Sequence, residues 1–538
     1  MNIKNNIKNL IYDILKKMQI NYDNITIEVP KDIENGDFSC NIAMKLSSVL
    51  KKNPLVIAEE IKSNLLLSGV FEDIKIAKPG FINMYLDKSV LSKYIKDIIA
   101  LEASYGKNNL GKGKKINIEY VSANPTGILH LGTARGASYG TNLANIMSFS
   151  GYDVTKEYYI NDAGNQIDNL GESIYQRYKG LCGFEEHMPE DGYYGSEIID
   201  IAKKIYNENN NSLLQEDKSY FKEYGVTYLL NIIKQDLLDF GVSFDIWTSE
   251  KDIRNKGRII EALKIFDEKN LTFTQDGAKW LKTTVYGDDK DRVLIKQDSS
   301  YTYLVPDIAY HLDKFDRGYD ELIDVFGADH HSYVSRLKAS IEALGYDKDK
   351  LEVRLLQMVR LLKNNEVVKM SKRTGGNITI RDLLEDVGKD CARYFFASRS
   401  LDGQMDFDID LAIKKTNDNP FYYVGYAHAR ICSILNSAKK LDITYDIDDI
   451  YDMDTKKLVL KVLDFPSVVE TSAFKKEPHL IANYVYDLAS MFHTYYGKHR
   501  ILTDDDKKTA EYLSLLKIVK ITIKNALNLI GVSAPIKM

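Results

Sequence analysis

Two short segments of this chain combine residue types that can handle a polyphosphate. The first, Asn124-Pro125-Thr126-Gly127-Ile128-Leu129-His130-Leu131-Gly132-Thr133, separates an alternating apolar run from a run with helical period. A helix that starts there presents unpaired N–H groups and a partial positive charge to an anion. Gly132 lets a ligand approach the backbone, and His130 can donate to phosphate oxygens. A plain strand–turn–helix connection with His130 on the surface fits the same residues equally well. The second segment is Lys369-Met370-Ser371-Lys372-Arg373-Thr374-Gly375-Gly376. Its cations and glycines suit a clamp that neutralises the charge developing on pyrophosphate as it leaves. Read alone, it is better explained as a solvated lysine-rich turn.

These segments need a scaffold, and the surrounding pattern supplies one. Ile116, Ile118 and Tyr120 alternate with polar residues as a strand; Ala134 to Phe149 has helical period and stops at Gly151; Val154 to Ile160 is a second strand. Together they read as a βαβ unit. Further on, Leu322 to Phe326 is a buried strand, Ser332 to Leu344 a helix ended by Gly345, and Val359 to Val368 a hairpin around Asn364-Asn365. Residues from about 185 to 290 read as a mostly helical, polar insertion. Ahead of the βαβ unit lies a small α+β unit: a helix from about Ile7 to Met18, then Asn53-Pro54 opening a helix through Ile57, Ile61 and Leu65. Pro79-Gly80 precedes the alternating Phe81, Asn83 and Tyr85. Tyr105 to Lys115, rich in glycine and lysine, reads as a linker. From Thr379, where Thr379-Ile380-Arg381-Asp382 has the form of a capping box, the chain reads as almost entirely helical. Apolar stripes cover Ala427 to Ala438, Leu480 to Tyr496 and Leu513 to Leu529. The expected organisation is multidomain: an α+β N-terminal domain over 1–108, a Rossmann-like α/β domain with a helical insertion over 109–390, and an all-α bundle over 391–538.

Length and composition agree. At roughly 100–200 residues per domain, 538 residues predict several domains. With 44% hydrophobic and 28% charged residues and only 10 prolines, the chain falls outside the disordered, collagen-like and membrane classes. A formal charge of −5 announces no nucleic-acid partner, yet a local basic groove is compatible with it. Cys40, Cys182, Cys391 and Cys432 are too scattered for a zinc site or a CxxC pair and read as reduced thiols. Lysines interrupt the segment from Met1 to Ile20, and no apolar run reaches bilayer length, so a soluble, cytoplasmic protein with no membrane partner is expected.

Together, His130-Leu131-Gly132-Thr133 and Lys369-Met370-Ser371-Lys372-Arg373 resemble the paired signatures of class I aminoacyl-tRNA synthetases. Within that class the chain is most similar to the arginyl-tRNA synthetases. The likeness runs through Glu119 to Gly140, Tyr159-Ile160-Asn161-Asp162-Ala163-Gly164-Asn165-Gln166, Phe244-Asp245 with Trp247, and Gly327-Ala328-Asp329-His330-His331. It continues over Asp406 to His428 and the closing Ala534-Pro535 with Met538. In front, Gly36-Asp37-Phe38-Ser39 and Pro79-Gly80-Phe81-Ile82-Asn83 look like the additional N-terminal domain of that family, which contacts tRNA. One position departs: where the family usually has a second histidine stands Thr133, which keeps a donor and loses the imidazole.

The resemblance implies an ATP-dependent ligase that joins L-arginine to tRNA(Arg). The carboxylate of arginine attacks the α-phosphate of ATP, giving arginyl-adenylate and pyrophosphate; the arginyl group then passes to the terminal ribose of the tRNA, releasing AMP. It implies Mg²⁺ alongside ATP, a first step that needs bound tRNA, and a monomer. The catalytic residues would be His130, Lys369 and Lys372, and the ATP contacts His130, Gly132, Thr133, Gly327, Asp329, His330, Met370, Ser371 and Lys372. Tyr303 and Asp307 would hold the guanidinium, a planar cation with five donors that suits a carboxylate beside a flat or hydroxyl-bearing wall. Glu119 and Asn124 would take the α-amino end, and Asp162 and Gln166, one turn apart on a helix, would face the same pocket. Bland readings stand beside each: Asp307 as the cap of a helix from Ile308 to Phe315, Glu119 as a solvated strand edge, Asp162 and Gln166 as a polar helix face. No resident metal site is expected, because nothing completes a ligand set around Asp329-His330-His331. The C-terminal bundle resembles the family's anticodon-binding domain. There Tyr422, Tyr426 and Arg430, near Tyr423 and His428, could stack on unpaired bases and take phosphates, although any one tyrosine is more simply core.

Overall fold

The computed structural model describes residues 2–364, 366–368 and 378–538. In the N-terminal part, helices α1 (Ile3–Lys17), α2 (Ile42–Leu50), α3 (Pro54–Leu66) and α4 (Lys88–Leu101) accompany strands β1 (Ile27–Glu28), β2 (Phe38–Cys40), β3 (Phe71–Ala77) and β4 (Phe81–Leu86). The strands form an antiparallel sheet in the order β1-β2-β4-β3. Asn2 caps α1 by accepting from the Lys4 amide, and Ile3, Ile7, Ile11 and Ile14 form its buried stripe. Asn53 caps α3 with Pro54 in its first position, where no N–H is needed.

The middle of the chain builds the sheet that carries the chemistry. Strand β5 (Lys115–Glu119) leads to α5 (Leu131–Phe149) and β6 (Asp153–Ile160), the expected βαβ unit. Helices α6 (Asn165–Leu181), α7 (Ser196–Asn209) and α8 (Ser219–Asp239) follow and enclose a small core of their own. Then come β7 (Ile246–Ser249), α9 (Glu250–Asn255), α10 (Arg258–Glu268), and the antiparallel trio β8 (Thr272–Gln275), β9 (Ala278–Leu281) and β10 (Arg292–Ile295). Helix α11 (Leu304–Asp316), β11 (Glu321–Gly327), α12 (His331–Leu344) and β12 (Leu351–Leu356) complete the main layer. The central sheet is parallel throughout, in the order β12-β11-β5-β6-β7. From β5 the chain winds outward one way to β7 and then returns to the other side through β11. The crevice beyond the carboxyl ends of β5 and β11 is therefore the switch point at which open α/β sheets bind ligands. Helix α5 lies hard against β5: a Cβ on Gly140 would fall 2.1 Å from Cγ of Tyr120, an approach that only glycine permits.

The hairpin of β13 (Val359–Lys363) and β14 (Glu366–Val367) is followed by α13 (Ile380–Asp386), α14 (Lys389–Ala397), β15 (Met405–Asp408) and α15 (Ile409–Ile413). Thr379 and Asp382 form the expected capping box of α13. Two expectations need correction. Residues 185–290 are not one helical insertion, because β7 is an edge strand of the central sheet and β8 and β9 also lie within that stretch. From Thr379 the chain is almost entirely helical as expected, but β15 pairs in parallel with β13, and Cys391, Phe395, Phe407 and Ala412 belong to the core under the central sheet, not to a separate bundle. A boundary at 391 cuts through that core. Each missed strand has four residues, too few for periodicity to register.

Helices α16 (Pro420–Ser437), α17 (Met453–Lys475), α18 (His479–Lys498) and α19 (Asp506–Leu529) form the C-terminal bundle. It shares one hydrophobic core with the N-terminal domain, in which Ile7, Ile61, Met84 and Ile95 join Val459, Leu488 and Leu516. Polar ties seal the joint: Lys4 to Asp464 at 2.6 Å, Asn2 to Glu470 at 2.9 Å, and the Tyr105 hydroxyl to the Val462 carbonyl at 2.7 Å. The expected linker is thus pinned at its first residue. Asp37 is buried; its carboxylate accepts from the Leu86 amide and lies 3.0 Å from Lys456 of α17. Removing the cation would strand that carboxylate, so Lys456→Met is expected to destabilise the protein by about 3–5 kcal/mol. A lowered urea midpoint would register it, and an unchanged midpoint would mean that the pair adds nothing to docking.

Candidate active site

A cavity of about 650 Å³ opens at the switch point. Glu119 and the following Ser122, Ala123 and Asn124 come from the end of β5, Tyr159 from β6, Gln166 from α6 and Glu250 from α9. Tyr303 caps α11 and Asp307, Tyr310 and His311 lie on it, Gly327 ends β11 and His330 follows it, and Tyr333 and Arg336 come from α12. The turn out of β5 is strained, because Val121 and Ser122 adopt φ of 72° and 40°. Such conformations cost about 1–3 kcal/mol each and persist only where the surroundings impose them. Here Ser122 Oγ donates to Glu119 at 2.9 Å and accepts from the Tyr159 amide at 3.0 Å.

The cavity carboxylates differ in what balances them. Glu119 is bonded by the fully buried Lys314, and Glu250 accepts from Arg254 Nε at 2.8 Å. Asp307 makes no ion pair among the described residues; the Tyr333 hydroxyl donates to it, and burial pushes its carboxyl up to about 6. It does not cap α11, because the helix begins at Leu304 with Tyr303 in the cap position. The capping alternative therefore fails, and Tyr303 and Asp307 lie one turn apart on the cavity wall. Tyr303 is 74% exposed, a large ring with little of its surface buried.

Asn124 Nδ2 donates to Gln166 Oε1 at 2.6 Å, which joins the signature loop to the start of α6. Asp162 is a correction: it precedes α6 and does not line the cavity. Its carboxylate accepts from Ser249 Oγ at 2.7 Å and the Lys251 amide at 3.0 Å, tying the loop to α9. Glu250, Tyr310, His311 and Tyr333 went unnoticed in the sequence. A usable signal existed for α11, where Asp307, Tyr310, His311 and Lys314 fall at helical spacing and mark a polar face on a buried helix.

A second cavity, of about 350 Å³, lies at the N-terminus of α5, where His130, Leu131 and Gly132 face Met358, Arg360 and Leu361. The Leu131 amide donates to the Ile378 carbonyl at 3.0 Å. Val368 and Ile378 also line this cavity, on either side of the segment 369–377. Lys369, Met370, Ser371 and Lys372 lie outside the described residues. Thr133 sits in the first turn of α5. Asp329 is folded over Gly327, where a Cβ would meet its Oδ1 at 2.4 Å, and its side chain points to solvent rather than into the cavity that His330 lines.

On α16, Tyr422, Tyr426 and Arg430 follow one another at one-turn spacing. Arg430 donates to the Tyr426 hydroxyl at 2.7 Å, with its guanidinium 4.4 Å from the Tyr426 ring and 4.7 Å from that of Tyr496. Tyr426 is exposed and Tyr422 half-buried. His428 is buried, with Nδ1 2.8 Å from the Pro535 carbonyl, so it anchors the C-terminus and faces no solvent.

Comparison with known proteins gives three domain matches. Residues 3–86 match the arginyl tRNA synthetase N terminal domain, 94–396 the catalytic domain of class I (R) tRNA synthetases, and 424–538 the DALR anticodon binding domain. The chain is 49% identical over 524 residues to arginine–tRNA ligase 1 of Halalkalibacterium halodurans, covering 96% of this chain and 94% of that one. It is 49% identical over 525 residues to the arginine–tRNA ligase of Bacillus subtilis, with the same coverage. The Thermus thermophilus arginyl-tRNA synthetase shares the fold, with a TM-score of 0.78 at 20% identity over 99% of this chain and 100% of that one.

Proposed function

The chain belongs to the class I arginyl-tRNA synthetases, and from that premise we propose how its residues divide the work of joining arginine to tRNA. The protein charges tRNA with arginine at the expense of ATP, through an arginyl-adenylate. Asp307 takes the guanidinium, with Tyr303 and Tyr310 as walls, while Glu119 and Asn124 receive the α-amino end. The arginine carboxylate then points toward the α5 N-terminus, where His130, Gly132 and Thr133 meet ATP. Gly327 and His330 complete the nucleotide side from the end of β11 and just after it. Lys369 and Lys372 act on the leaving pyrophosphate, on the strength of the signature resemblance. The observation that supports this reading best is the unequal balancing of the carboxylates: Glu119 and Glu250 have cations of their own, and Asp307 makes no ion pair among the described residues. A guanidinium supplies the missing charge in fork geometry.

Mg²⁺ would enter on the ATP phosphates, since this ion keeps most of its waters and is seldom caged by protein alone. It supplies charge neutralisation there. We read the working unit as a cytoplasmic monomer whose first step requires tRNA; among the described residues no helix is long and apolar enough to cross a membrane. Pyrophosphate exchange with each amino acid, with and without cognate tRNA, tests the whole reading. Exchange should require both arginine and tRNA and should ignore lysine. Exchange with lysine, or none at all from protein that still binds tRNA, would defeat it.

Tyr426 and Arg430 are assigned to unpaired tRNA bases and the adjoining phosphates. Tyr426→Ala is expected to raise KM for tRNA by roughly 10-fold, because stacking on one base contributes about 1–3 kcal/mol, while KM for arginine and ATP holds. An unchanged KM for tRNA would return Tyr426 to the role of a surface ring.

A further inference from the structure

Beneath the cavity a single buried chain of bonds runs from the Glu119 carboxylate to the backbone of Asp307, the two residues assigned to opposite ends of arginine. Lys314 bonds Glu119 and, at 2.9 Å, Asp324 Oδ1; Asp324 Oδ2 lies 2.8 Å from His311 Nε2; His311 Nδ1 lies 2.8 Å from the Asp307 carbonyl oxygen. Lys314 and Asp324 are fully buried, and His311 and Glu119 nearly so. Burial works against the Asp324 carboxylate, yet Lys314 and His311 beside it bring its pKa down to about 2. Both imidazole nitrogens of His311 thus lie within hydrogen-bond distance of an oxygen, Nδ1 of the Asp307 backbone carbonyl and Nε2 of the Asp324 carboxylate. Lys314 itself sits between two carboxylates, Glu119 and Asp324. The nearby Glu157 pairs with Arg317 at 2.9 Å and also feels the charge of Lys314.

The chain also spans three elements. Glu119 ends β5, Asp324 lies in β11, and Asp307, His311 and Lys314 lie on one face of α11, so the bonds clamp that helix across the switch point. We propose that Lys314, Asp324 and His311 are positioning residues that fix the separation of Glu119 and Asp307, and with it the length of the amino acid that the site accepts. The proposal rests on the assignment of those two carboxylates made above.

The test is tRNA-dependent pyrophosphate exchange by the full-length enzyme, comparing Asp324→Asn and His311→Gln with Glu119→Gln and Asp307→Ala. In the first two variants KM for arginine should rise about 10- to 100-fold, the effect of small displacements in a preorganised site, with KM for ATP held within about twofold. Rejection of homoarginine, one methylene longer, should weaken about tenfold. An unchanged arginine KM in Glu119→Gln and Asp307→Ala overturns the underlying assignment. Large losses in those two, with a normal KM and normal rejection of homoarginine in Asp324→Asn and His311→Gln, overturn the positioning role alone. Wild-type protein gives a second readout that does not depend on a variant folding. In ¹⁵N-histidine spectra the ring that contacts Tyr310 should hold a slowly exchanging, hydrogen-bonded N–H proton, and ring N–H exchange as fast as that of an exposed imidazole overturns the buried chain.

Discussion

Asp307→Ala is expected to lower kcat/KM for arginine in pyrophosphate exchange by roughly 10²–10⁴-fold while KM for ATP stays within about threefold. The variant removes half of a buried charge pair, and the guanidinium that enters finds no replacement in the Tyr333 hydroxyl. The pH dependence carries a sign that can be checked. Burial raises the Asp307 carboxyl to about 6, with Glu119 and Glu250 acting the same way and Tyr333 and His311 opposing. Arginine binds the ionised form, so its affinity is complete above that value and falls about tenfold per pH unit below it. Stability of the unliganded protein responds oppositely. A raised carboxyl pKa means that between 3.8 and about 6 the folded chain holds a proton which the unfolded chain has released. Stability is lost as pH rises through that window, by about 3 kcal/mol, and is not regained above it. Asp307→Asn should therefore melt higher than wild type at pH 7 and equal to it near pH 4, while failing to use arginine. A lower melting point at pH 7 would mean that a protein cation already pairs with Asp307.

His130→Ala is the second large effect, a fall in kcat of roughly 10²–10³-fold, the range for removing one donor aimed at developing charge. His130 holds the cap position of the 19-residue helix α5, and the Gly132 backbone approaches its ring so closely that an added Cβ would lie 3.3 Å from Cε1. Gly132→Ala should reproduce part of the loss by displacing the ring. Single-turnover adenylate formation separates the possibilities: a rise in KM for ATP at unchanged kcat would make His130 a ground-state contact and sink its role in the transition state.

What could be read in advance follows the range over which each feature is specified. The signature at His130 and the capping box at Thr379 depend on neighbours within a few residues, and both segments fold as their residue types dictate. The alternative of Asp307 as a helix cap fails because proline is tolerated in the first turn, so α11 takes in Pro306 and begins two residues before it. Asp162 was set on a helix that starts only at Asn165, because Gly164 turns the chain with φ of 85°. Glu119 looked like a surface residue because its partner Lys314 is 195 positions away, and no local pattern links a strand end to a helix so distant. The βαβ unit and the long C-terminal helices were legible from periodicity; the charge balance of the pocket depends on partners far apart in the chain.

The shared core of the first and last domains sets an order of events during synthesis. Asp37 and Tyr105 leave the ribosome early, but Lys456 and Val462, which cover them, belong to α17, made much later. At roughly 5–20 residues per second the N-terminal domain waits on the order of tens of seconds for its docking surface. During that interval the apolar face that packs on Val459, Leu488 and Leu516 lacks those partners. A transcript cut short before α17 would release a protein with every catalytic element present and this face still uncovered, a substrate for chaperones and proteases before it is an enzyme.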